Sequence, residues 1–255
     1  MKPVHIRGGA LTMCYFSASY LAARVPECAL LDLPFMINDR EQAYTILDGA
    51  VGQLLAHKLQ ASTGFRVLSF WDNGFRPLTN AVRPMRTSAD CAGIRIRTLF
   101  RNVHRQVFQL LGFEPVTLDV KELIAGVRSG AIEAQETLLT NSYNFGIHLH
   151  HCYLTLSGHF FGAAVLLCHQ VSYAAWPAEM QQAVEEAASE ATAVQRRFAA
   201  AEDEDVLAKL RLSQNDITRL TDAEGVRFVA AVAPVVEEQR HIFGNQLLSY
   251  LESCR

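Results

Sequence analysis

No stretch of this 255-residue sequence strings together the roughly 20 apolar residues that a membrane-spanning helix needs, although half of its residues are apolar. Charge is nearly balanced. With 23 Lys and Arg against 26 Asp and Glu, the formal net charge is −3. That supplies neither the footprint of a nucleic-acid binder nor a polybasic membrane contact. The opening MKPVHIRGGALTM has no apolar h-region of the secretory kind. Six cysteines are scattered without a C-x-x-C pair. Most lie in apolar contexts such as Val165-Leu-Leu-Cys168, where a buried free thiol is the preferred reading and a pairing of distant positions stays open. G-x-S-x-G, G-x-G-x-x-G and the phosphate-cradling G-x-x-x-x-G-K are all missing. Their absence weakens an enzyme reading without closing it, since nine histidines and many acids remain to meet in space. Repeats, low-complexity tracts and flexible linkers are absent too, so two domains would have to be interwoven.

What is present is densest between Gly93 and Thr137, which reads strand, helix, strand, helix, strand. Ile94 and Ile96 alternate with Arg95 and Arg97, placing both arginines on one strand face. Val103, Val107, Phe108, Leu110 and Leu111 follow at helical spacing, stopped by Gly112. After the short run Val116 to Leu118, Asp119 with Glu122 spells a capping box for a helix that Gly130 ends. The last strand, Ala131 to Glu136, delivers Gln135, Glu136 and Thr137 to its carboxyl end. Such alternation predicts a mainly parallel sheet, which binds small ligands at strand carboxyl ends. Arg97 and Thr137 fall there.

Upstream, Gly9 to Phe16 and Ala29 to Leu33 read as strands, and Asn38 with Glu41 as the cap of a helix through Leu55. Val67 to Trp71 reads as a buried strand, with Asp72-Asn-Gly74 a turn or crossing point. Downstream, Tyr153 to Leu156 and Ala163 to Gln170 are expected strands. Pro177 opens an unbroken helical composition to Leu212, about 50 Å at ~1.5 Å per residue, long enough to brace two domains. Thr221 with Glu224 caps a helix ending near Gly244, and Gln246 to Leu251 form a closing helix. His148, His150 and His151 beside Cys152 suggest metal only weakly, because no matching ligand pair completes the set.

G-I-R-I-R-T, L-G-F-E-P-V and A-I-E-A-Q-E-T, in that order, resemble the core of the solute-binding proteins of tripartite ATP-independent periplasmic (TRAP) transporters. That family typically reads G-x-K-I-R-V, L-G-A-x-P-x-P and V-D-G-Q-E-N-P. The likeness extends through Leu31-Asp-Leu-Pro-Phe35, Asn73-Gly-Phe-Arg76 and Leu154-Thr-Leu-Ser-Gly-His159, and so covers nearly the whole chain. It implies an α/β periplasmic-binding-protein-like fold of two interwoven lobes, 1–74 with 163–202 and 75–162 with 203–255, joined by the long helix.

By the same resemblance Arg97 is the clamp on a ligand carboxylate, a role that suits the planar guanidinium fork. Spacing alone leaves it open between that clamp and an ordinary strand-face arginine; Arg95 is expected to be solvated. Arg76 matches a second, less constant arginine, and Ser17 and Tyr20 fall on a pocket loop. Trp71 precedes the cleft and either walls the ligand or is simply core. Thr137 stands where the family has asparagine, keeping a hydroxyl but losing the paired donor and acceptor of an amide. The implied function is a periplasmic receptor, not an enzyme and without cofactor, that binds an organic acid and delivers it to a TRAP membrane permease. The alternatives are an α/β enzyme acting on a small carboxylate and a ligand-sensing module without transport. Family members also carry an export signal and a further strand-helix-strand-helix unit before the position of Gly9. In-frame sequence upstream of Met1 is therefore expected to encode them, with the first lobe incomplete here.

Overall fold

The structure, a computed structural model, describes residues 12–254. The expected strand Gly9 to Phe16 lies partly outside that range; its described part is β1, Met13–Ser17. Where Ala29 to Leu33 was expected to be extended, the chain instead winds a 3-10 helix over Pro26–Asp32. Pro26 takes its first position, where a missing N–H costs nothing. Cys28, Leu30 and Leu31 are all buried. The apolar run therefore reported burial, which periodicity cannot distinguish from strand.

Two helices follow, α1 (Arg40–Asp48) and α2 (Ala50–Thr63), broken at Gly49 where one was expected. The cap is Asp39, not Asn38: its carboxylate accepts from the Gln42 N–H at 2.8 Å, while Gln42 Oε1 accepts from the Asn38 N–H at 2.7 Å. Strand β2 then runs over Phe65–Phe75, straight through Asp72-Asn-Gly74. Those residues do not reverse the chain. They form a bulge against β8 (Phe161–His169), and Gly74 takes φ +83°. β1, β8 and β2 make an antiparallel three-stranded sheet.

The second sheet has the order β5-β4-β6-β3-β7-β9, built from β3 (Leu78–Asn80), β4 (Arg95–Thr98), β5 (Glu114–Thr117), β6 (Ala134–Glu136), β7 (Tyr153–Leu156) and β9 (Asp216–Arg219). β4 runs parallel to both β5 and β6, pairing Arg97 with Val116 and Gln135; β3 alone runs against the rest. The connecting helices are α3 (Asn102–Leu110) and α4 (Val120–Arg128), the latter opened by the expected Asp119–Glu122 capping box. Strand β9 had no anticipated counterpart in the sequence.

Of the four apolar clusters among the described residues, two are large. The first gathers α1 and α2 against β2 and β8, around Ile46, Leu55, Phe65 and Val165. The second packs α3 and the later helix α8 (Asp222–Phe243) on β4, around Ile96, Val107, Phe108 and Phe228. Between α4 and β7 lies the short α5 (Leu139–Asn144), and α6 (Gln170–Ala174) precedes the long helix. That helix, α7 (Ala178–Leu212), is unbroken for 35 residues, as its composition predicted. Its first half meets β2, where the Trp71 indole donates to Thr192 at 3.0 Å. Its last turns bury Val206, Leu207 and Leu210 with Leu139 and Leu154 of the other lobe. The terminal helix α9 (Asn245–Ser253) returns Leu248 and Leu251 to the first core. Among the described residues no helix is long and apolar enough to cross a membrane.

Candidate functional site

The carboxyl end of β4 faces the start of α4 across a cavity of about 230 Å³, whose lining includes Ser19, Tyr20, Arg97, Phe100, Arg101 and Asp119. Ser19 and Tyr20 come from the turn after β1 of the first sheet; the others come from β4 of the second sheet and the segments that follow it. The parallel ladder fixes Arg97 on both sides. Its residue is only 2% exposed, and its Nε donates to the Leu118 carbonyl at 2.9 Å. No carboxylate of the described residues forms an ion pair with it. Burial lowers its pKa, the Arg76 charge adds to that, and Glu136 pulls the other way. A buried cation engaged by one neutral carbonyl is poised for an anion from outside. Arg95 differs on every count: it is exposed, donates to the Ala131 and Gly130 carbonyls at 3.0 and 3.1 Å, and pairs with Glu133 at 3.4 Å.

Arg76 is already paired. Its Nε donates to the buried Glu136 carboxylate and its Nη2 to the Glu136 carbonyl at 3.1 Å. It borders a different cavity of about 220 Å³, with Arg40 and Asp203. Burial would raise the Glu136 pKa, but Arg76 and His104 hold it well below the carboxylate range. The His104 ring lies between Glu136, 3.5 Å from Nδ1, and Asp32, 3.7 Å from Nε2. Burial favours its neutral form, yet the two carboxylates outweigh that and raise its pKa. Asp32 in turn accepts from the Ser19 hydroxyl at 2.5 Å, and Arg101 Nη2 donates to the Ser19 carbonyl. Asp32 and Ser19 lie on segments that pack with the first core, and His104, Arg101 and Glu136 on α3 and β6 of the second, so these contacts join the two.

The structure thus brings Arg97 and Tyr20 together at one cavity. Ser17 ends β1 opposite Ala164 and leaves the cavity to Ser19. Thr137 is buried just past β6, outside that lining. Trp71 also lies outside that lining. Its indole N–H is taken by Thr192 and its ring packs 5.4 Å from Tyr15, beside a separate cavity of about 430 Å³ along α7. It braces the long helix, away from Arg97. Sequence reasoning missed Ser19, Arg101, Asp119, Asp32 and His104. Only Asp32 carried a signal, as an acid inside the otherwise apolar L-D-L-P-F run.

In the histidine run, His151 is buried. Its Nδ1 meets the Thr79 hydroxyl at 3.1 Å and its Nε2 the Ile132 carbonyl at 3.4 Å. Burial pushes its pKa down to about 4. His148 stacks on Tyr143 with centroids 4.6 Å apart. Cys28, Cys91 and Cys168 are buried free thiols, the first two pushed up to about 12 chiefly by burial.

The family model for bacterial extracellular solute-binding proteins, family 7 (DctP), matches residues 4–241. The uncharacterized protein y4mM of Sinorhizobium fredii is 34% identical over 236 residues, covering 92% of this chain. The chain spans only 43% of the length of that relative. A TRAP periplasmic solute-binding protein from Ochrobactrum anthropi superposes over all of the chain and 80% of its own, with TM-score 0.92 and 29% identity. It was solved with its C-terminus bound in the ligand-binding pocket. The sugar-acid-binding protein DctPAm from Advenella mimigardefordensis, solved with galactonate, gives TM-score 0.91 at 26% identity over 99% of this chain and 81% of its own. The two-lobed architecture, the bracing helix and the match over residues 4–241 agree: this chain belongs to the bacterial extracellular solute-binding proteins of family 7.

Proposed function

We propose that the chain is the ligand-binding part of a periplasmic receptor that closes on a small organic acid and presents it to a TRAP-type membrane permease. One observation carries this reading: Arg97, buried and lining the cavity, forms no ion pair with a carboxylate of the described residues. A ligand carboxylate supplies two charged hydrogen bonds in the geometry the fork requires. Closure then brings Ser19 and Tyr20 of one lobe over Arg97 and Asp119 of the other, a hinge-type motion about β2, β8 and α7. The family is one of receptors, and the work is binding and conformational change. We assign 1–74 with 163–202 to one lobe and 75–162 with 203–255 to the other, except that α9 packs on the first.

The test is calorimetric titration of small organic acids against wild type, Arg97→Ala and Arg95→Ala. Losing one partner of a desolvated charge pair costs about 2–5 kcal/mol, or roughly thirty- to several-thousand-fold in affinity. Arg97→Ala should show that loss and Arg95→Ala almost none. Equal affinities for wild type and Arg97→Ala would remove the clamp and the reading with it.

A further inference from the structure

The cavity of about 430 Å³ along α7 shares no lining residue with the one at Arg97 and has the opposite character. Three aromatic rings line it: Tyr15 on β1, Trp71 on β2 and Phe198 on α7. Tyr15 and Phe198 are 62% and 70% exposed, although rings of this size are ordinarily at least half-buried. Tyr15 and Trp71 lie 5.4 Å apart at 40°, tilted rather than stacked. No lysine, arginine or histidine lines the cavity, whereas Asp72, Glu202 and Asp203 all do. One guanidinium, that of Arg40, serves both Asp72, at 2.7 Å, and Asp203. Glu202 is exposed and forms no ion pair with a described residue. Burial raises the Asp203 pKa, Arg40 opposes that, and Asp72 and Glu202 add to the rise. Such a pattern belongs to a place where carboxylates outnumber cations. Three carboxylates share one cation beside three rings.

We propose that this cavity binds a small organic cation of the quaternary-ammonium type, at a second site separate from the Arg97 cleft. The face of an aromatic ring attracts a cation placed within ≈ 6 Å of its centroid, and aromatic cages recognise quaternary ammonium groups on this basis. Such an ion has no N–H to satisfy. It needs polarizable apolar walls and a negative field, not a directed acceptor. Tyr15, Trp71 and Phe198 supply the walls, and Glu202 with Asp203 the field. A volume of about 430 Å³ falls within the ≈ 300–1,000 Å³ of small-molecule pockets. An organic acid would meet three carboxylates here and no basic side chain, so the cavity is not a second copy of the Arg97 site. The site uses no residue of that cleft and does not rest on the receptor reading.

The experiment titrates the full chain with choline chloride and with its uncharged isostere, 3,3-dimethyl-1-butanol. Calorimetry and the fluorescence of Trp71 and Trp176, the two tryptophans of the chain, report binding. Choline should bind saturably, and the isostere about fivefold more weakly or worse. Phe198→Leu keeps apolar bulk without the ring, and Glu202→Gln removes only the charge. Both positions are exposed, so the fold should survive. Each variant should weaken choline binding by about threefold or more and leave affinity for organic acids unchanged. Trp71→Phe keeps a ring, so calorimetric binding should persist while the fluorescence change disappears. No saturable choline binding, equal affinity for choline and its isostere, or either exposed variant binding choline as wild type does overturns the proposal. A fluorescence change that survives Trp71→Phe overturns it too, by placing the ligand elsewhere. Displacement of choline by an equal concentration of sodium or potassium chloride would reduce the cavity to a plain acidic surface and end the proposal.

Discussion

Arg97 and Arg95 lie two residues apart on one short strand, yet the first is buried at a cavity and the second is exposed and paired with Glu133. Arg97→Lys separates charge from shape at that site. Lysine keeps the positive charge but presents a point donor in place of a fork, so ligand affinity should fall about tenfold or more by calorimetry, short of the alanine loss. A second residue-scale prediction concerns His151. Its neutral ring receives the Thr79 hydroxyl, which itself accepts from Gln135 at 2.7 Å, and the other ring nitrogen faces a carbonyl. With the folded pKa depressed from 6.5 to about 4, the neutral ring's contribution is whole above pH ~6.5 and is lost as pH falls towards 4. At about 1.4 kcal/mol per unit that is about 3.5 kcal/mol over the window. Urea unfolding of His151→Gln should be flatter with pH by up to that amount; slopes identical to wild type would deny that His151 is buried neutral. At this scale the sequence revealed residue type and strand position, hence Arg97. It could not reveal which arginine finds an internal acid, and Arg76 does so only because β3 and β6 pair antiparallel and set Leu78 opposite Glu136.

Elements were legible wherever local chemistry decides. The Asp119–Glu122 and Thr221–Glu224 boxes formed as their spacing indicates, and α7 follows from 35 residues without a breaker. What failed was set by tertiary contact: the 3-10 turn at Pro26–Asp32, the break at Gly49, and the Asp72-Asn-Gly74 stretch inside β2. A tripeptide that reads as a turn became a bulge because β8 supplies a partner along the whole strand, and Asp72 is needed there by Arg40 at 2.7 Å and Tyr44 at 2.7 Å. Gly74 tests this. At φ +83° a Cβ would sit 3.1 Å from Asp203 Oδ2, beside the Arg40–Asp203 contact that ties α1 to α7. Gly74→Ala should cost about 1–2 kcal/mol from backbone strain, more if that contact yields. Gly225→Ala, inside α8 with open space around its Cβ, should instead stabilise by about 0.5–1 kcal/mol. Chemical denaturation of the two variants checks the opposite signs; Gly74→Ala as stable as wild type would show that the bulge is not strained.

At the scale of the molecule, the two cores meet where no short motif could have announced it. Ser19 meets Arg101, and Asp32 faces His104, across 82 and 72 positions of the chain. His104 is the titrating member of that junction. Its ring stacks on Phe160 at 4.3 Å and faces Asp32 from one lobe and Glu136 from the other, with Arg76 and His159 bearing on Glu136. Burial lowers its pKa, but Asp32 and Glu136 together raise it above the ordinary 6.5. The Asp32 share of that rise comes only with closure, so that contact takes up a proton wherever the open form has lost it. The sign follows: closure and ligand affinity are fully supported below about pH 6.5 and weaken as pH rises through the raised value. His159, pushed down to about 3 by burial, stays neutral throughout that range and adds nothing. Asp32→Asn retains an acceptor for the Ser19 hydroxyl but removes the charge that crosses the cleft. Titrations between pH 6 and 9 should show wild-type affinity declining with pH and the variant weaker at pH 6 with a flatter profile. A variant whose affinity falls with pH as steeply as wild type would place the proton elsewhere and leave Asp32 as a neutral contact between lobes.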